Sequence, residues 1–123
     1  MPHTADVAVE LRARSELGLY QAGVDALREL LVGASPVLPV AERAIEPRGA
    51  DPTERLIHFL ADVLYLWDTE RVLPAKVTAS GIAGEIYDPA RHEAQREVKA
   101  VTRHGARVQA GEDGYRATIV FDV

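Results

Sequence analysis

"PHTADVAVELRAR", residues 2–14, sets a strict apolar alternation behind a polar front edge. Val7, Val9, Leu11 and Ala13 fall on one side of an extended chain, with Ala8, Glu10, Arg12 and Arg14 on the other. Successive strand side chains point to opposite faces, so residues 7–14 read as a half-buried strand with one wet face. By the same parity Asp6 belongs to the wet side, away from the core. The other end of the sequence repeats the pattern. Tyr115, Ala117, Ile119 and Phe121 face one way, and Arg116, Thr118, Val120 and Asp122 the other. Val123 is the last residue, and a free α-carboxylate is expected there. If the first and last strands are antiparallel neighbours, the start of one lies beside the end of the other, and Asp6 and Asp122 converge.

Between these strands the period changes. Ser15 sits where a helix N-cap belongs, Glu16 is in the first turn, and Leu19, Tyr20, Val24, Leu27, Leu30 and Leu31 form one apolar stripe that ends near Gly33. Prolines 36, 39 and 47 punctuate the next stretch, which carries a short edge strand over 40–45. Asp51, Pro52 and Glu54 are a cap, a first-position proline and the third residue of a capping box. The helix they start runs to about Asp68, burying Leu56, Ile57, Leu60, Val63, Leu64 and Trp67, with Tyr65 at the core or its edge. After Pro74, strands are predicted over 76–82, 84–87, 98–108 and 115–123, the last two joined by a turn at Glu112-Asp113-Gly114. The expectation is one α+β domain over 1–123, with two helices packed on a largely antiparallel β-sheet.

Composition narrows the function. The 123 residues are 47% hydrophobic and 27% charged, enough to bury one core. A formal charge of −5 argues against general attraction to a polyanion. The absence of Cys removes disulfides, thiolate ligands and thiol nucleophiles, and suits a reducing cytoplasm. No stretch has the form of a signal peptide or approaches the roughly 20 apolar residues of a membrane span.

Catalytic constellations are missing. His3, His58, His92 and His104 have no zinc-binding spacing, and Ser15, Ser35 and Ser80 lack a nucleophile elbow. "GIAGE" at 81–85 places its glycines wrongly for a phosphate loop. Asp6, Asp122 and a carbonyl or terminal carboxylate would suit a divalent cation such as Ca²⁺ or Mg²⁺. Scattered surface acids are common, however, and on the residues alone that reading is preferred to a metal site. Lys99 alternates with Val98 and Ala100 in an expected central strand; it either reaches solvent or contacts a phosphate or a partner's carboxylate.

Taken together, "HTADV" at 3–7, "GEIYDPARHE" at 84–93, "EVKAVTRHG" at 97–105 and "VFDV" at 120–123 resemble the archease family over essentially the whole chain. The resemblance implies a protein cofactor and not an enzyme. Its partner would be the tRNA-splicing RNA ligase that joins a 2′,3′-cyclic or 3′-phosphate end to a 5′-hydroxyl end. The implied role is to speed ligase guanylylation and allow multiple turnover, with RNA met only through the ligase. It also implies a metal site at Asp6, Asp122 and Val123, for Ca²⁺ first and Mg²⁺ or Mn²⁺ as alternatives. Lys99, His3, His104 and Arg103 are the implied partner-facing residues, Arg103 standing where the family commonly has Tyr. Two other readings stay open: a metal-dependent phosphoester hydrolase, and a metal-independent chaperone-like module for RNA-processing proteins.

Overall fold

The computed structural model describes residues 5–123. The opening alternation forms β1 (Asp6–Ala13), and the final one forms β6 (Gly114–Asp122). They are antiparallel and in unbroken register, from Asp6 opposite Asp122 to Ala13 opposite Tyr115. β5 (Ala100–Gly111) pairs with the other side of β6, so the sheet order is β1-β6-β5 and β6 is central. Leu11, Ala117, Ile119 and Phe121 are buried on the inner face. The outer face carries the polar parity set and is not covered by either helix.

The Ser15 hydroxyl accepts the Gly18 N–H at 3.0 Å and starts α1 (Glu16–Val32). The helix ends at Gly33, which takes φ 60°, a conformation glycine adopts without a Cβ penalty. Asp51 caps α2 (Pro52–Glu70) by accepting the Glu54 N–H at 2.9 Å. Glu54 reaches back one residue further than a capping box requires, to the Ala50 N–H. α2 runs two residues past the expected end and stops at Arg71, a left-handed residue (φ 57°) whose guanidinium lies 4.5 Å from the Trp67 ring centroid. Trp67 is 8% exposed and belongs to the core, whereas Tyr65 is 65% exposed. Tyr65 is thus neither core nor core edge, because it falls outside the apolar stripe shared by Leu60, Val63, Leu64 and Trp67.

The helices are fastened to each other by a bidentate pair, Arg55 Nε and Nη2 donating to Glu16 Oε2 and Oε1 at 2.8 and 2.9 Å. The Arg55 guanidinium holds the Glu16 carboxyl below its ordinary value. Burial pushes the Tyr20 phenol up to about 12, and its O–H donates to the same carboxylate at 2.7 Å.

The remaining strands form a second sheet instead of extending the first. β2 (Ala41–Ala44), β3 (Val72–Val77) and β4 (Gly81–Ile86) are antiparallel in the order β2-β4-β3. β3 begins at Val72, ahead of Pro74, and the β3–β4 turn lies at Thr78–Gly81, where the Thr78 N–H reaches the Gly81 carbonyl. Proline is tolerated because β3 is an edge strand and its register shifts between Pro74 and Lys76. The free side of β3 is not bare. Gln21 accepts the Val77 N–H and donates to the Ala75 carbonyl, which also receives Arg28 from α1. Both helices pack against the first sheet and against β3 of the second. The fold is α+β with two helices and two three-stranded antiparallel sheets.

Candidate metal centre at the end of the β1–β6 ladder

Asp6 and Asp122 are direct cross-strand partners at the last rung of the ladder, on the outer face. Directly opposed antiparallel residues hold their Cβ atoms roughly 4.5–5.5 Å apart, so the two carboxylates share one small volume. The backbone around them is fully engaged. The Lys99 N–H donates to the Asp122 carbonyl at 2.7 Å, and the Val123 N–H donates to the Ala5 carbonyl at 2.9 Å. These bonds hold β6 between its neighbours at its very end and place Val123 beside the start of β1.

Asp122 Oδ1 is buried and has no hydrogen-bond partner among the described residues. Among those residues neither aspartate is in an ion pair. A buried carboxylate oxygen without a partner is destabilising, and a second carboxylate directly opposite adds repulsion. A hard divalent cation relieves both, since such ions take carboxylate and carbonyl oxygens and complete their shells with water. The residues therefore fit a cation held by Asp6, Asp122 and an oxygen of Val123. No group of three His, Asp or Glu side chains gathers among the described residues, so of these side chains Asp6 and Asp122 are the two that would serve as ligands.

The other candidates divide. Lys99 lies just before β5, which is an edge strand, and not in a central strand. Its backbone N–H is tied to the Asp122 carbonyl, and the residue is exposed. Arg103 and His104 sit further along β5, where the register shifts between Thr102 and Arg107 around Gly105 (φ 80°). Arg103 Nη2 donates to His58 Nε2 at 3.1 Å, and His58 Nδ1 then donates to the Arg48 carbonyl at 3.0 Å. Arg103 is thus bonded to α2, and His104 is exposed with its N–H on Thr102 Oγ1. His3 lies outside the described residues.

A second polar cluster escaped sequence reading. The Glu85 carboxylate accepts from Arg91 at 2.8 and 3.2 Å, from the Leu38 N–H at 2.9 Å and from buried His92 at 3.0 Å. The Asp88 N–H donates to His92 Nδ1, so the ring proton is on Nε2 and points at Glu85. Arg91 first, then the Leu38 amide, hold the Glu85 carboxyl down at about 2. The Asp88-Pro89 turn was the available signal, since it folds His92 back onto β4. A carboxylate with a lowered pKa stabilises the fold above its unfolded value, near 4.5, and that contribution is lost as pH falls through about 2. Glu85→Gln is therefore expected to lower the Tm at pH 7, with the gap to wild type closing between about pH 4.5 and 2 in thermal melts.

These features define a small two-sheet α+β protein carrying an acidic pair where its first and last strands meet. A model of the Archease protein family matches residues 1–123, and the chain belongs to that family. It is 31% identical to Protein archease of Pyrococcus furiosus over 98% of this chain and 94% of the relative. The corresponding protein of Methanopyrus kandleri is also 31% identical, over 98% of this chain and 95% of the relative. The solution structure of Methanobacterium thermoautotrophicum protein 1598 superimposes with a TM-score of 0.73 at 24% identity, covering all of this chain and 96% of that one, and so shares the fold. Among the described residues no helix is long and apolar enough to cross a membrane.

Proposed function

We propose that this chain is an accessory protein of a 3′-phosphate/5′-hydroxyl RNA ligase, promoting guanylylation and repeated turnover in tRNA splicing or RNA repair. Family membership sets the class of role, and the opposition of Asp6 to Asp122, with its unpartnered buried oxygen, carries the chemistry. Asp6, Asp122 and Val123 would hold a divalent ion, Ca²⁺ or alternatively Mg²⁺ or Mn²⁺. When bound, such an ion supplies positive charge that can align and stabilise phosphoryl oxygens.

The chain's own part is positional. The register keeps both carboxylates at the end of the ladder, and the Lys99 amide fixes the Asp122 backbone. The exposed Lys99 ammonium would reach a phosphate or a carboxylate on the ligase. No general base or phosphate cradle accompanies the pair among the described residues, which favours an accessory role over hydrolysis. The test is guanylylation of the cognate ligase at substoichiometric amounts of this protein, with and without a chelator. Ligase guanylate is expected to accumulate many-fold faster, and chelation should abolish the gain. No stimulation would reject the proposal, and stimulation indifferent to chelation would leave a chaperone-like role without the metal.

A further inference from the structure

The outer face of the β1-β6-β5 sheet has a second end, six residues up β1 from Asp6 and so roughly 20 Å away. There Arg12 stands directly opposite Arg116, whose other neighbour is Gln109. In the adjacent row Glu10 faces Thr118, which faces Arg107. A groove on this face is lined by these six residues together with Leu11 and Ala117, so three guanidinium groups meet one carboxylate. Arg12, Arg107 and Arg116 are all exposed, and none is in an ion pair among the described residues.

Like charges placed directly opposite each other across a strand pair are destabilising. Elsewhere Arg28, Arg43, Arg48, Arg55 and Arg91 each hold a carboxylate, Arg71 lies over Trp67 and Arg103 is bonded to His58. The groove instead gathers three arginines without an ion pair among the described residues, two of them directly opposed, in a protein whose net charge is −5. We infer that the Arg12–Arg107–Arg116 groove binds the phosphate backbone of an RNA strand directly, at the far end of the face from Asp6 and Asp122.

Several features choose this occupant. All three cations are arginine, whose planar fork matches phosphate oxygens two at a time. Gln109 and Thr118 add neutral donors of the kind that bind phosphates. The outer-face positions of the three strands near the groove carry no aromatic side chain. An acidic protein surface would normally be anchored by aromatic or aliphatic contacts at the centre of the interface, and base recognition would require a stacking platform. No aromatic anchor and no stacking platform stands at these positions, so the contact is to phosphate and independent of sequence. That the strand is RNA rests on the ligase reading above; the phosphate contact does not.

The test measures fluorescence anisotropy of a labelled oligouridylate with the isolated protein at low salt, then across a salt series. Three phosphate contacts to a single strand predict a log–log slope of about −2. Replacing Arg12, Arg107 and Arg116 together with Gln should weaken binding at least about tenfold and bring the slope near zero. Asp6→Asn combined with Asp122→Asn should leave the affinity at wild-type level or tighten it. The triple variant is expected to melt no lower than wild type, because the Arg12–Arg116 opposition is gone; if it does not fold, Arg107→Gln alone should flatten the slope by about 0.7. No binding at low salt, or unchanged affinity in the variants, would overturn the inference. Equal binding of polyglutamate would overturn it in favour of an acidic protein surface. Since no ligase is present, a failed guanylylation assay and a failed binding assay remain distinguishable.

Discussion

Asp122→Ala is expected to eliminate divalent-cation binding and, with it, stimulation of the ligase, while the protein without added cation melts no lower than wild type. The two halves of this result have one cause. Asp122 Oδ1 is buried without a partner among the described residues, and the carboxylate stands opposite Asp6, so its removal relieves desolvation and repulsion. The same atom is the natural first ligand for a cation. Loss even of a group supporting a metal ligand commonly weakens affinity about 10–100-fold, and loss of one of two carboxylate ligands should exceed that range. A cation at about 100 times its Kd should stabilise wild type by about 2.7 kcal/mol, and Asp122→Ala should show no such gain. Asp6 is exposed and should lose less than Asp122 when replaced. Calorimetric titration with Ca²⁺, Mg²⁺ and Mn²⁺, paired with melts, measures all of this. Wild-type affinity in Asp122→Ala would remove the site from the ladder's end.

The second large effect concerns the fold. Gly84 lies in β4 between Ala41 of β2 and Pro74 of β3, and its carbonyl accepts the Val40 N–H at 2.9 Å. A Cβ there would run into the Leu73 carbonyl oxygen and sit 2.9 Å from the Leu73 carbonyl carbon and 3.2 Å from Pro74 Cα. All of these are backbone atoms, so no side-chain rotation provides relief. Leu73 and its neighbour Val72 are fully buried, and moving β3 drags both out of the core. Gly84→Ala should therefore exceed the overpacking range of about 1–3 kcal/mol. A fall in Tm of more than about 10 °C follows for a domain of this size. Gly111→Ala, where an added Cβ meets nothing within 4 Å, is the control and should barely change the melt. A Gly84→Ala protein melting beside the control would show that β3 can slide freely.

Parity carried the reading of the acidic pair. Once Val7 and Phe121 were assigned to the core side, Asp6 and Asp122 had to share the other, and the antiparallel register sets them opposite each other. Capping chemistry was equally legible at Ser15 and Asp51, because those side-chain bonds are made within one turn. What escaped depends on partners distant in sequence. Division into two sheets turns on which strands find each other, and no local pattern states that. Pro74 reads as a boundary because a proline gives up a donor, yet an edge strand with a register shift does not need that donor. Lys99 looked central by alternation but precedes an edge strand. Glu85 and His92 lie seven residues apart and meet only because the Asp88-Pro89 turn reverses the chain. Tyr65 shows the limit of composition, since an aromatic residue in a helix can still face water.

The pairing of β1 with β6 also has a bearing on how the molecule comes into being. β1 is made well before β6, so it must wait, one side unsatisfied, until the intervening chain has been produced. Contacts so far apart in sequence form late and slowly, because the closure of a long loop has to be met before any pairing rewards it. The acidic pair therefore cannot appear on a nascent or half-folded chain. Its presence marks a chain whose β1 and β6 have paired, so a partner that reads Asp6 and Asp122 together engages only protein in which that long-range pairing has formed.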